Sequence, residues 1–290
     1  MRRIVATLGV ASVVTLTGGL PAQAITGDAV PDFEHSYVGV VVLYDGDGAI
    51  AQGCSGSLLT DTVFLTAAHC LPVGDESTLA GSARVWFEQD AGAGYDPATG
   101  APTSSGFPSS GGVPASTFYS YDASGIYDAG LVILDQPVTD VYADLTEYAS
   151  LADADSLDEY IAAGPATITL SGYGASNGEN TNELVDEFSR LTADTAIVGL
   201  DTEETGEENV LLAGSGEGGG GGVCFGDSGG PILLAGTDIT AGVISSGATT
   251  CTGPFLAART DATPVLEWIL ANAGSEADEI QIVDVAAIAS

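Results

Sequence analysis

Lysine is absent from this 290-residue sequence, and arginine is scarce. Lys and Arg together number 5, against 40 Asp and Glu, so the formal net charge is −35 at pH 7. A field of that sign repels nucleic acid and anionic membranes over about 8 Å at physiological ionic strength. The composition therefore argues against a nucleic-acid or membrane partner. The acidic surface fits either solubility outside the cell or a saline habitat, and we favour solubility.

The N-terminal apolar run is too short to span a membrane. It extends from Ile4 to Leu16, well below the roughly 20 residues that a spanning helix needs. Two arginines precede it, and Ala22-Gln23-Ala24 follows as an A-x-A cleavage pattern. We therefore interpret residues 1–24 as a signal peptide and expect a secreted, extracellular protein that begins at Ile25.

Cysteine is also scarce, with Cys54, Cys70, Cys224 and Cys251 the four present. An exported protein favours disulfides, and four cysteines allow three connectivities. Zinc is an alternative because His69 precedes Cys70, but the C-x2-C and H-x3-H spacings are missing. We expect no metal and no cofactor. The acidic runs 153–159 and 201–208 lack EF-hand spacing and are interpreted as solvated faces or loops, with calcium binding left open.

Helical periodicity is rare, and short strands dominate the pattern. Alternating or apolar runs such as Tyr37–Leu43, Val63–Thr66 and Gly130–Leu134 lie close to Gly, Asp or Pro. A helix is predicted only over 263–273, where a threonine and a proline open the segment and a glycine follows it. The segments 91–116 and 214–222, rich in small residues or glycine, are expected to be flexible surface insertions. The predicted class is all-β with a late helix.

Three local motifs carry the chemistry. They are Thr66-Ala67-Ala68-His69-Cys70, Asp128-Ala129-Gly130-Leu131 and Gly226-Asp227-Ser228-Gly229-Gly230-Pro231. Each alone has an ordinary explanation as a core residue, a strand start or a turn. Together they resemble the secreted trypsin-like, or chymotrypsin-fold, serine peptidases, whose TAAHC and GDSGGP motifs stand here letter for letter. The match at Asp128 is looser, because smaller residues occupy two of its positions.

The resemblance runs over about 25–274 and implies two antiparallel six-stranded β-barrels packed around a cleft. The first barrel is expected at about 25–145, the second at 146–262 and the C-terminal helix at 263–273, with 275–290 as a tail without an assigned role. By the same resemblance His69 is the general base, Asp128 its orienting partner and Ser228 the nucleophile, in the chain order of the serine-peptidase triad. Serine requires such a base because its hydroxyl is a weak nucleophile at neutral pH.

The resemblance also assigns the residues around the nucleophile. The N–H groups of Gly226 and Ser228 would form the oxyanion hole. Disulfides are implied between Cys54 and Cys70 and between Cys224 and Cys251. A buried carboxylate is costly without a cation, and the amine of Ile25, freed by removal of residues 1–24, is expected to pair with Asp227.

Specificity rests on the residues aligned with the family's substrate pocket. Gly222 stands at the expected pocket floor, where an aspartate would receive Arg or Lys, so cleavage after basic residues is not expected. The wall would be Ser245-Ser246-Gly247, and Phe255 would make the pocket shallow, for small or aliphatic side chains, or obstructed. We predict a secreted, monomeric serine endopeptidase acting on proteins or peptides; the alternative is a catalytically idle homologue that serves as an extracellular binding module.

Overall fold

The computed structural model describes residues 25–73, 78–91, 95–96, 101–102, 111–121, 127–164, 166–174, 189–200, 209–216, 220–285 and 288. The predicted signal peptide, the acidic run 201–208 and most of the segment 91–116 lie outside these residues. Among the described residues, no helix has the length and apolar character to cross a membrane.

Short strands are the main secondary structure of the described chain. The first nine are β1 (Val30–Pro31), β2 (Val38–Tyr44), β3 (Ile50–Leu58), β4 (Val63–Thr66), β5 (Ser82–Trp86), β6 (Tyr95–Asp96), β7 (Ala101–Pro102), β8 (Val113–Ser120) and β9 (Gly130–Leu134). The remaining eight are β10 (Ser150–Ala152), β11 (Thr167–Gly172), β12 (Leu191–Leu200), β13 (Asn209–Leu212), β14 (Pro231–Leu234), β15 (Ile239–Gly247), β16 (Phe255–Arg259) and β17 (Ile282–Val283). The described residues also form two α-helices, α1 (Ser156–Ala162) and α2 (Thr263–Asn272).

The first barrel closes in the order β2-β3-β4-β9-β8-β5. All its pairings are antiparallel, with Val41 opposite Cys54 on one side and Val85 on the other. Nearly all of β2 is buried, since it lies in the barrel wall and also contacts β11 of the second barrel. Because side chains alternate across a strand, burial of consecutive residues requires packing on both faces. Strand β2 therefore lies at the junction of the two barrels.

The second barrel is formed by β14-β11-β12-β13-β16-β15 and closes through the pairing of β14 with β15. Its six strands are also mutually antiparallel. Outside the closed ring, β1 pairs with β12, while β10 and β17 extend the sheet beside β15 in parallel. The predicted fold class, two six-stranded antiparallel barrels and a C-terminal helix, is confirmed.

Helix α2 matches the predicted late helix and packs onto the first-barrel core through Val265, Leu266 and Ile269. Part of the acidic run 153–159 forms α1, and its acidic side chains Asp158 and Glu159 are exposed, as expected for a solvated face. Leu157 of α1 is fully buried, and Asp158 pairs with Arg259 at 2.9 Å. A buried guanidinium requires such partners, which explains acidic residues on a packed helix.

Candidate active site

His69 and Asp128 are brought together by the pairing of two strands. Thr66 at the end of β4 lies opposite Gly130 at the start of β9, so the residues beyond both ends become neighbours. The imidazole Nδ1 of His69 lies 2.8 Å from Asp128 Oδ2, and the His69 backbone N–H donates to Oδ1 at 2.9 Å. Asp128 is buried, and Ser245 donates its hydroxyl to the same carboxylate at 2.5 Å. This arrangement orients the ring and directs Nδ1 toward the carboxylate.

Ser228 lies in a tight turn just before β14. Gly226 and Gly229 on either side of it have φ angles of +94° and +81°, which favour glycine strongly. A Cβ at Gly229 would lie 2.1 Å from Thr66 Oγ1, so packing also requires glycine there. Ser228 and His69 line one cleft of about 250 Å³ between the barrels. The nucleophile and base named from the motifs thus share a cavity.

Two backbone donors of this turn have no hydrogen-bond acceptor among the described residues. The N–H of Asp227 donates to the Cys224 carbonyl, and that of Gly229 to the Ile244 carbonyl. Over the described residues, no acceptor faces the N–H groups of Gly226 and Ser228. They are the two donors that an oxyanion would require.

Asp227 lies under this turn and is fully buried. Its carboxylate accepts the N–H groups of Gly174 at 2.8 Å and Cys224 at 2.9 Å, and also that of Ile25. Burial raises the pKa of Asp227 to about 7, and these three N–H donors oppose the rise. Ile25 is itself fully buried, and Thr26 exchanges backbone hydrogen bonds with Gly222 beside it. The structure thus brings Ile25 and Asp227 together, as the resemblance implied.

Both disulfides implied by the resemblance are present. Cys54 is bonded to Cys70, which joins β3 to the turn carrying His69, and Cys224 is bonded to Cys251 at the edge of the cleft. The side chains of Cys54, His69 and Cys70 form a cluster with possible metal-ligand atoms within 4.8 Å of one another. Since both sulfurs are bonded to each other, this cluster offers no thiolates to zinc.

The structure corrects part of the expected substrate pocket. Ser245, Ser246 and Gly247 line the cleft as predicted, together with Val223, Phe225, Ile244 and Ala248. Phe225 is 47% exposed. Gly222 and Phe255, in contrast, lie outside the cleft lining.

Each of these two residues is held elsewhere by packing. Phe255 is buried in the second-barrel core and pairs with Leu212 and Gly247. A Cβ at Gly222 would lie 2.5 Å from the Ser215 nitrogen, because this glycine packs against the segment that seats Ile25. At least the end of 214–222 is therefore packed, and is not the flexible surface insertion expected from its glycines. Gly221 likewise donates to the Asp194 carbonyl at 2.6 Å.

One residue at the site, Ser55, belongs to none of the motifs identified in the sequence. Ser55 is fully buried beside Cys54, and its backbone and hydroxyl contact the turn that carries Ser228. A serine next to a disulfide cysteine gives no sequence signal for such a role. Only the approach of β3 to the catalytic turn reveals it.

Comparisons with known proteins agree with this geometry. The Trypsin family model matches residues 25–269. Trypsin delta of Drosophila erecta is 26% identical over 232 residues, 77% of this chain and 79% of the relative, and the fibrinolytic enzyme isozyme C of Lumbricus rubellus is 24% identical over 77% of this chain and 89% of its own. The solved structure of HL collagenase superposes with a TM-score of 0.59 at 20% identity, covering 86% of this chain and 97% of that one. This chain belongs to the trypsin family.

Proposed function

We propose that this protein is a secreted serine endopeptidase that hydrolyses peptide bonds in proteins or peptides. The observation that carries the proposal is the shared cleft of His69 and Ser228, with Asp128 at 2.8 Å from the imidazole. The names of the relatives, a trypsin, a fibrinolytic enzyme and a collagenase, support a protein substrate. Cleavage before Ile25 during export would release the mature enzyme.

The proposed reaction uses each group in a distinct role. As Ser228 Oγ attacks the substrate carbonyl carbon, its proton passes to His69 Nε2, and Asp128 stabilises the imidazolium through Nδ1–H. The N–H groups of Gly226 and Ser228 bind the oxyanion. Collapse of the tetrahedral intermediate breaks the C–N bond, and His69 returns the proton to the leaving amine. Water then hydrolyses the acyl-enzyme by the same proton transfers.

The direct test uses two variants in the processed protein. Ser228→Ala and His69→Ala should each abolish peptide hydrolysis while thermal unfolding stays close to that of the unsubstituted protein, because triad members act as a unit. Labelling with a fluorophosphonate should modify Ser228 in the unsubstituted protein only. Near-normal turnover of either variant would contradict the assignment. A correctly folded, processed protein that neither labels nor hydrolyses peptides would instead favour the idle homologue acting as a binding module.

The cleft favours small or aliphatic side chains on the acyl side of the cut bond. Its described lining contains Val223, Ile244 and Ala248 and includes no carboxylate. A desolvated Arg or Lys would therefore lack a partner there, which is costly.

A further inference from the structure

Ser55 lies on β3 of the first barrel, and its polar groups contact the turn of Ser228, Tyr173 and Thr66. Its hydroxyl donates to the Gly226 carbonyl at 2.8 Å and accepts the Tyr173 N–H at 2.9 Å. Its backbone N–H donates to the Ser228 carbonyl at 2.8 Å, and its carbonyl accepts the Thr66 hydroxyl at 2.7 Å. Ser55 is fully buried, with a relative accessibility of 0%. Every donor and acceptor that it contributes is therefore satisfied by protein.

These contacts hold the two carbonyls that flank the oxyanion donor. The Ser228 N–H belongs to the peptide between Asp227 and Ser228, and Ser55 binds the carbonyls immediately before and after it, those of Gly226 and Ser228. The peptide between Gly226 and Asp227 is fixed at its other end as well, because the Asp227 N–H donates to the Cys224 carbonyl at 3.1 Å. Rotation of the peptide between Gly226 and Asp227 would break the bonds at both of its ends. The peptide that carries the Ser228 N–H is held by the Gly230 N–H, which donates to the Asp227 carbonyl at 2.9 Å.

The neighbouring glycine makes this restraint necessary. Gly226 has a φ of +94° and no side chain, so its own backbone preferences do not fix its peptide orientation. Without a restraint, a turn of this kind would also populate peptide orientations that do not bind the oxyanion. A buried hydroxyl with a fixed acceptor selects one orientation.

We infer that Ser55 is a positioning residue for the oxyanion hole, and that its hydroxyl sets the turn geometry on which turnover by Ser228 depends. The inference rests on the proposed peptidase function. Ser55 does not touch the substrate, since it lies outside the cleft lining and acts through the Gly226 carbonyl.

The test compares Ser55→Ala with Ser57→Ala in the processed enzyme. Both serines lie on β3 and are fully buried, but within the described residues the Ser57 hydroxyl has no hydrogen-bond partner. Ser57→Ala therefore controls for loss of a buried hydroxyl from the same strand. Active sites are titrated with a fluorophosphonate, and kcat and KM for a peptide substrate are measured per titrated site.

Ser55→Ala should lower kcat by about tenfold to a hundredfold with KM within twofold, because a small misplacement of a catalytic donor acts on the transition state. Affinity for a peptidyl trifluoromethyl ketone, whose adduct carries an oxyanion, should fall by a similar factor. Ser57→Ala should change neither.

Other outcomes separate the possible failures. A Ser55→Ala enzyme whose kcat per titrated site stays within twofold, even with a lowered melting temperature, would reduce Ser55 to a structural role and overturn the inference. An equal loss of kcat in Ser57→Ala would overturn it too. An unsubstituted enzyme without hydrolysis or labelling would instead refute the proposed function itself.

Discussion

The contact between Ile25 and Asp227 gives a prediction that two versions of the chain can test. In the 290-residue chain the Ile25 donor to Asp227 is a backbone amide, because residue 24 is still attached. A chain beginning at Ile25 would present an ammonium at the same place. A chain beginning Met-Ile25 would keep the amide. The two versions differ by one residue and by the charge of the group that faces Asp227.

The magnitude follows from the pKa of Asp227. Burial raises it from 3.8 to about 7 when Ile25 contributes only an amide N–H. A difference of roughly 3 pKa units, at 1.36 kcal/mol each, is about 4 kcal/mol. The folded Met-Ile25 chain binds the Asp227 proton more tightly than the unfolded chain does. Its stabilisation from that proton is therefore complete below about pH 4 and is lost as pH rises through about 7.

The chain that begins at Ile25 should behave in the opposite way over this range. Its ammonium stabilises the ionised carboxylate, so the Asp227 penalty disappears between pH 4 and 7. A carboxylate neighbour raises the amine pKa above its free value of about 7.7 to 8.0, so the pair contributes fully below that value and fades as pH climbs through the raised one. The stability difference should grow by about 4 kcal/mol from pH 4 to pH 7.5, and shrink again at alkaline pH.

Urea unfolding across pH measures this difference, with Ser228→Ala in both chains to prevent self-digestion. Asp227→Asn is the control: it should remove the pH-dependent difference, and should cost the Ile25 chain on the order of 3 to 5 kcal/mol by leaving a buried ammonium unpaired. With Ser228 restored, the Met-Ile25 chain should be folded but nearly inactive. Parallel stability profiles for the two chains, or full turnover with the extra methionine, would refute the reasoning.

Two further predictions concern specificity and the C-terminal tail. A peptide-library profile should show no preference for Arg or Lys before the cut bond, because the cleft offers no unpaired carboxylate among its described lining residues; a profile dominated by basic residues would contradict this. Val285 is fully buried in the second-barrel core, beyond β17. Val285→Ala should lower the free energy of unfolding by about 2 kcal/mol, whereas Ile282→Ala, at a side chain 43% exposed, should cost clearly less. Equal urea midpoints for the two variants would argue against a stabilising tail.

The sequence predicted those parts of the fold that local chemistry dictates. The turn around Ser228 requires glycine, because its backbone has positive φ angles and its neighbours pack closely. Few residue types fit these positions, so the motif can be recognised in the sequence. The late helix was predictable because Thr263, Pro264 and Gly274 mark its ends, and its buried side chains recur on one face. The strands that form both barrels show apolar runs for the same reason.

Features that depend on distant contacts were not predictable. Asp158 is 47% exposed, as its sequence context suggests, but no local pattern identifies its partner Arg259, which lies 101 positions away. The glycines near 222 look like a flexible insertion, yet Gly222 pairs with Thr26 across the molecule. Phe255 was assigned to the pocket by alignment, but the register of β16 between β13 and β15 places it in the core. No local pattern encodes these contacts.

The positions of the arginines show how the protein uses its few cations. Arg190 is buried and donates to the carbonyls of Val38 and Phe87, and Arg259 is buried against Asp158 and Asp261. Arg84 donates to the carbonyl of Gly111. Arginine suits such sites because its planar fork of donors satisfies several acceptors at once, which a lysine ammonium cannot do in the same geometry.

With these arginines engaged, no side-chain cation reaches Asp227 among the described residues, and its contacts there are backbone N–H groups. We propose that the amine of a chain beginning at Ile25 matches this buried carboxylate. The amine at Ile25 does not exist until the peptide bond before it is cut. In the proposed mature enzyme, the charge balance under the turn of Ser228 would therefore depend on processing at residue 25.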